Sequence, residues 1–344
     1  VVELDTVTFA NGGGTIDIEA NATVRLISDL DTAGLTIKGA GQFDGGNFSI
    51  SSTALTLGAE DVDANISNVS ITGGGTLALV GNTANDTLQN VRFEDVTILP
   101  VLDKVTEVAL TFRDVNLLGG LTNSNSVSDA NSPVIIEGTF DAANASVAGK
   151  VQVKSATVSN ATFSGLVEAI TGGAAGSVAT LDTVTLNGGL NADNKAGLVV
   201  ELDTVTLADG EDINIEANAT VRLISDLDTA GLIIKGAGQF DGGNFSISST
   251  ALTLGANGAD ANISNVSITG GGTLALVADT SSPDSNVRFE DVTILPVLDK
   301  VTNVALTFRD VNLLGGLTNS NNVATDDSPV IIEGTFDAAN ASVA

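Results

Sequence analysis

Val91-Arg92-Phe93-Glu94-Asp95-Val96-Thr97-Ile98 decides the fold. Its apolar residues stand at 91, 93, 96 and 98. That is the alternation of a half-buried strand, broken once by the polar pair Glu94-Asp95, which resets the inward face. The phrase returns as Leu110-Thr111-Phe112-Arg113-Asp114-Val115-Asn116-Leu117 and as Val200-Glu201-Leu202-Asp203-Thr204-Val205-Thr206-Leu207. A chain that repeats one strand–bend–strand unit is stacking it.

Working outward, Val1-Val2-Glu3-Leu4-Asp5-Thr6-Val7-Thr8 recurs at 199–206, an offset of 198. The offset is 197 from Ile16 and 196 from Asn90, so the copies differ by two one-residue deletions. Residues 1–148 and 199–344 are therefore two copies of one block, with 149–198 as connecting coils in one continuous solenoid. Inside a block, the apolar residue after each polar bend is read at Val7, Leu30, Phe48, Val69, Val96, Val115, Ala143, Ala161, Val184 and Val205. The nine steps average 22 residues. The spacing predicts an all-β fold: a single-stranded, right-handed parallel β-helix of about 22 residues per coil and roughly 16 coils. Val, Ile, Leu, Thr and Phe fill the strands, while Asn, Asp and Gly fill the bends, where they tolerate positive φ. Stacked Asn side chains are expected to form ladders. Two tandem β-sandwiches would instead need hairpin turns and blocks near about 100 residues.

Composition narrows the function. Thirteen Lys and Arg against 42 Asp and Glu give a net charge of −29. Such a surface repels nucleic acid, whose binding depends on cations neutralising phosphate. Acidic disorder is opposed by 43% hydrophobic residues and a mean hydropathy of +0.30. Cys, Met, Trp, Tyr and His are all absent. Disulfides and thiolate metal sites are thereby excluded, and the commonest zinc ligand is missing. No apolar run of about 18 residues occurs, so no helical membrane span is expected. The chain opens on Val1 in strand phase, which is the expectation for a protein whose leader has been removed or for a segment of a longer one.

Ile37-Lys38-Gly39-Ala40-Gly41-Gln42-Phe43-Asp44-Gly45-Gly46-Asn47-Phe48-Ser49-Ile50 resembles the glycine-rich turn followed by a strand of pectin-lyase-like right-handed β-helices. Asn68-Val69-Ser70-Ile71-Thr72-Gly73-Gly74 does so too. The resemblance is one of pattern over the whole chain. It implies the fold of repetitive surface adhesins and extracellular fibres, and equally that of glycan-active enzymes with clustered acids and an Arg or Lys base.

For such chemistry the sequence offers Arg92 and Arg113 beside Glu94 and Asp114, repeated at Arg288 and Arg309. A surface ion-pair ladder explains them as well. Phe93, Phe112 and Phe140 fall in core phase. Gly39-Ala40-Gly41-Gln42-Phe43-Asp44 is followed by no helix signal, which defeats a dinucleotide reading. Acids at Glu60-Asp61-Asp63, Asp209-Glu211-Asp212 and Asp326-Asp327 leave calcium as the one cofactor open, without dependable ligand spacing. No catalytic, cofactor-binding or metal residue is assigned. Asn-X-Ser/Thr acceptors at Asn21, Asn65, Asn144 and Asn160 are expected by chance in a chain so rich in these residues.

The reading is a non-catalytic extracellular or cell-surface structural protein, a repetitive solenoid of a filament, fibre or adhesin. Its expected partner is itself, end to end through backbone pairing of terminal rungs, with cell-surface glycans or matrix as further partners. A polysaccharide-binding or polysaccharide-cleaving β-helix is the alternative. An S-layer or phage-fibre component shares the first reading.

Overall fold

The computed structural model describes residues 1–9, 13–59, 62–81, 90–127, 132–171, 176–256, 259–277, 286–322 and 329–338. The chain forms two compact units, Val1–Gly165 and Leu166–Ala344. The division falls within the 149–198 stretch that separates the sequence copies. Among the described residues there is no helix, and the named strands pair in parallel. The fold is a parallel β-solenoid of about 14 turns with about 21 residues per turn, against the roughly 16 turns of 22 expected. Parallel pairing excludes the sandwich tandem, whose neighbouring strands would run antiparallel.

In the first unit, the strand Asn90–Ile98 shows why the organising phrase winds into a coil. Val91, Phe93, Val96 and Ile98 are all buried. Asp95 between the two halves has φ 55°, in the left-handed region. One such residue bends the strand and lets both halves present apolar side chains to the same interior. Asn68 (φ 50°) and Asp114 (φ 53°) do this in the adjoining turns, in register with Asp95. Left-handed backbone costs most L-residues about 1–2 kcal/mol, and Asn and Asp are the exceptions because their side chains hydrogen-bond locally. Asp114 does so across turns: its Oδ1 accepts the Thr139 amide and hydroxyl, each at 2.9 Å.

Register then stacks like on like. Phe93 pairs with Phe112, and Val96 with Val115. The Phe93 and Phe112 rings lie 5.5 Å apart and 17° from parallel, and the Phe140 ring, from the neighbouring column, meets Phe112 at 5.5 Å. All three are buried, as their core phase implied. In the second unit Phe289, Phe308 and Phe336 repeat these ring contacts.

The position within the turn read from sequence slips at three residues. Val115 pairs with Phe140, and Phe140 with Val158, so these residues, not Ala143 and Ala161, continue the column of Val96. Here Gly138 (φ 68°) and Ser155 (φ 50°) make the bends, and the register shifts beside each. Ala143 and Asn144, with φ 48° and 69°, form a second corner further along the same turn. Leu30 likewise pairs with Ile50 and so lies two residues beyond the column of Phe48.

The expected Asn ladder appears in the second unit. Asn214 Nδ2 donates to Asn191 Oδ1 at 2.7 Å, and Asn218 Nδ2 to Asn194 Oδ1 at 3.0 Å.

Candidate functional site

The charged residues singled out in sequence meet on the outer face. Register places Glu94, Arg113, Glu137 and Lys154 in one column across four turns, alternating in sign. Arg113 Nη2 lies 3.0 Å from Glu137 Oε2, and Lys154 Nζ lies 3.0 Å from Glu137 Oε1. Glu94 sits 3.7 Å from both Arg92 and Arg113. The second unit repeats the set with Arg309 bridging Glu290 at 3.2 Å and Glu333 at 2.8 Å. Burial pushes the Glu137 carboxyl up, but hydrogen bonds and charge from Lys154 and Arg113 outweigh it and hold the group below the usual range. Hydrogen bonding to Glu137 raises the Arg113 guanidinium further. These shifts run away from neutrality, whereas a proton-transfer group is tuned towards it. Asp114, expected beside Arg113 in such a site, is committed to the Thr139 bend instead.

A second polar cluster escaped the sequence reading. Asp44, at the end of the strand Gln42–Asp44, accepts from Arg25 Nε at 2.8 Å, from the Gly46 amide at 3.0 Å and from Asn68 Nδ2 at 3.1 Å. Burial raises its pKa, and these donors, led by the Gly46 amide, outweigh burial and lower it. Asp241 has the same set in Arg222, Gly243 and Asn265. A shallow surface concavity of about 390 Å³ opens over Arg25, Asp44 and Phe48. The partners come from three turns, so only the stacking register reveals them.

Lys104 was also missed. It ends the strand Val101–Lys104 facing inward, in phase with Leu102, and is 0% exposed. Its Nζ donates to the Ser132 carbonyl at 3.2 Å. Lys300 is its buried counterpart, and burial lowers its pKa. The signal was available: a lysine in apolar phase breaks the alternation of its strand. Next to it, outward-facing Asp103 accepts from Thr122 Oγ1 at 2.8 Å and from the Ser124 amide at 3.0 Å, tying two turns together.

Among the described residues, no group of three or more His, Cys, Asp or Glu is arranged to hold a metal. Of the acidic clusters, Glu60, Asp61, Asp326 and Asp327 lie outside the described residues. Asp63 Oδ1 accepts the Asn90 amide at 2.8 Å, and Asp212 is paired with Lys235. Asn65 and Asn160, two of the glycan acceptors, spend their amides on Gly41 O and Asp141 Oδ1.

No protein-family model matches the chain, and neither a curated protein nor a solved structure matches it significantly. Among the described residues, no helix is long and apolar enough to cross a membrane.

Proposed function

We propose that the chain is a non-catalytic structural protein of the cell exterior, a repetitive solenoid that belongs to a filament, fibre or adhesin. The observation that carries this reading is how its strongest polar groups are employed. Asp44, Asp103, Asp114 and Glu137 each bond a neighbouring turn, and their counterparts in the second copy do the same. Their chemistry is spent on holding turns together. Right-handed winding of the pectin-lyase-like kind follows from the crossover preference of parallel strands. An acidic exterior suits a soluble, salt-bathed protein and disfavours nucleic acid as a partner.

Self-association through added rungs is part of the proposal. Val134–Asp141 is covered by Val151–Ser159, and Val134 and Ile136 are 0% exposed. The strand Val330–Asp337 repeats Val134–Asp141, with Ile332 at the position of Ile136. A strand of a second copy entering in that register would bury the same side chains, and this strand addition is the mode of association proposed.

Sedimentation velocity over a hundredfold range of concentration tests this. Growth into long assemblies, abolished by Ile332→Lys, supports it. A monomer at all concentrations removes the self-association. Depolymerisation of any member of a glycan panel, lost on substituting Glu94 or Arg113, would establish the polysaccharide-cleaving alternative in its place.

A further inference from the structure

We infer that the solenoid carries two equivalent subsites for an uncharged pyranose, one per copy, built around Phe48 and Phe245. The starting point is a bend that is two residues too long. Asp44 pairs with Ser67 and Ser49 with Ser70, so Gly45-Gly46-Asn47-Phe48 stands against only Asn68-Val69. Gly45 takes the place beside Val69: a Cβ there would lie 2.3 Å from the Val69 Cβ. Phe48 is thereby lifted out of the core column into a half-buried position at the surface, where Val69 one turn on is buried.

The second copy repeats the bend. Asp241 pairs with Ser264 and Ser246 with Ser267, leaving Gly242-Gly243-Asn244-Phe245 against Asn265-Val266. Phe245 is 36% exposed, whereas Phe240 and Phe289, in the column that precedes the bend, are wholly buried. Gly46, at φ 57°, lines the hollow, and Gly243 has the same backbone conformation at φ 59°. A Cβ on Gly46 would lie 2.5 Å from the Leu26 carbonyl oxygen and one on Gly243 2.4 Å from that of Leu223, well inside van der Waals contact.

The hollow has one apolar wall and one polar wall. Phe48 and the exposed Ile27 form the first, and Arg25, Asp44, Asn47 and Asn68 the second. Its volume of about 390 Å³ lies within the range of small-ligand sites, about 300–1,000 Å³. Asp44 is fixed by three donors, so its lone pairs and the outward guanidinium edge of Arg25 are oriented before a ligand arrives. A pyranose matches both walls, since its C–H face packs on an aromatic ring and its rim hydroxyls both donate and accept. The Arg25–Asp44 pair is neutral as a unit, and the surrounding charge of −29 selects against polyanions.

The test is an amide-detected NMR titration of the whole chain with cellohexaose, chitohexaose and mannohexaose, each to about 10 mM, with polygalacturonate as the anionic comparator. The expected result is saturable shifts at Gly46, Asn47 and Phe48 and at Gly243, Asn244 and Phe245 with at least one neutral oligosaccharide. Phe48→Ala should remove the first set alone, and Phe48→Ala with Phe245→Ala should weaken binding at least about tenfold with an unchanged thermal melt. Phe48→Tyr, which keeps the ring, should retain binding. No saturable shift with any neutral sugar, binding of polygalacturonate alone, or binding undiminished in the double variant would each overturn the inference. Because the readout is ligand binding, its failure leaves the self-association of the solenoid standing.

Discussion

Arg113 and Glu137, 24 residues apart in the chain and one turn apart in the stack, meet through Nη2 and Oε2 at 3.0 Å. Glu137 also takes Lys154 from the following turn, so one carboxylate joins three turns. Its side chain is 16% exposed, against 43% for the equivalent Glu333.

Acid should therefore undo a definable part of the stability. Glu137 is held below the ordinary carboxylate range, so its contribution is complete above the unfolded value of about 4.3. It is lost as pH falls through the lower folded value. Glu137→Gln should cost up to about 1 kcal/mol at pH 7, and that difference should disappear once the pH has fallen below the folded value. Thermal melts of both proteins across this range check it; a penalty independent of pH would contradict the assignment.

The bends should be the least forgiving exposed positions. Gly138 stands at φ 68°, and a Cβ there would lie 2.5 Å from Asp114 Oδ1. Gly138→Ala should cost at least about 1–2 kcal/mol from backbone conformation alone, besides displacing the Asp114 carboxylate. Asp114→Asn should be milder than Asp114→Ala, because it keeps an oxygen for Thr139 and tolerates the left-handed region. Chemical denaturation ranks the three variants; Asp114→Ala equal to wild type would show that the bend does not need its side chain.

Inside the coil, Phe112 touches aromatic neighbours on both sides. Phe112→Ala should destabilise by about 3–5 kcal/mol, the usual cost of emptying a buried aromatic site. A change below about 1 kcal/mol in denaturant unfolding would mean that neighbouring turns collapse into the gap.

The fold was legible because two local signals agree. Val91 to Ile98 alternates with an interruption, and the interrupting residue is of a type that accepts positive φ. Asn68, Asp95 and Asp114 announce themselves in this way. Gly138 and Ser155 do not, since each comes with a shift in register, and the neighbouring corner at Ala143-Asn144 carries a similar polar step. The phase drifted there for that reason. Arg92, Glu94 and Arg113 were readable as a charge ladder because they lie within single strands. Asp44 was not, because its partners Arg25 and Asn68 arrive from 19 and 24 residues away, and only register brings them together. Phe48 was counted in the core column because a bend two residues longer looks the same in one dimension. Lys104 was visible as a break in alternation and passed over.

Salt should stabilise the chain. With 42 acids against 13 bases, repulsion dominates the long-range electrostatics, and it is screened as the Debye length falls from about 30 Å at 0.01 M salt to about 8 Å at 0.15 M. The ion-pair ladders lose less, because their partners are in contact. Melting temperature should rise with sodium chloride over this range; a flat or falling trend would show that the ladders outweigh the net charge.

The central claim is that these turns exist to be stacked into an extracellular filament. Electron microscopy and fibre diffraction of the purified protein, with and without a calcium chelator, test it most directly. The account predicts long thin fibres with a meridional reflection near about 4.8 Å, the separation of paired strands, present in wild type and missing in Val2→Pro and Ile332→Lys. Isolated particles at every concentration, or fibres indifferent to both substitutions, would contradict it.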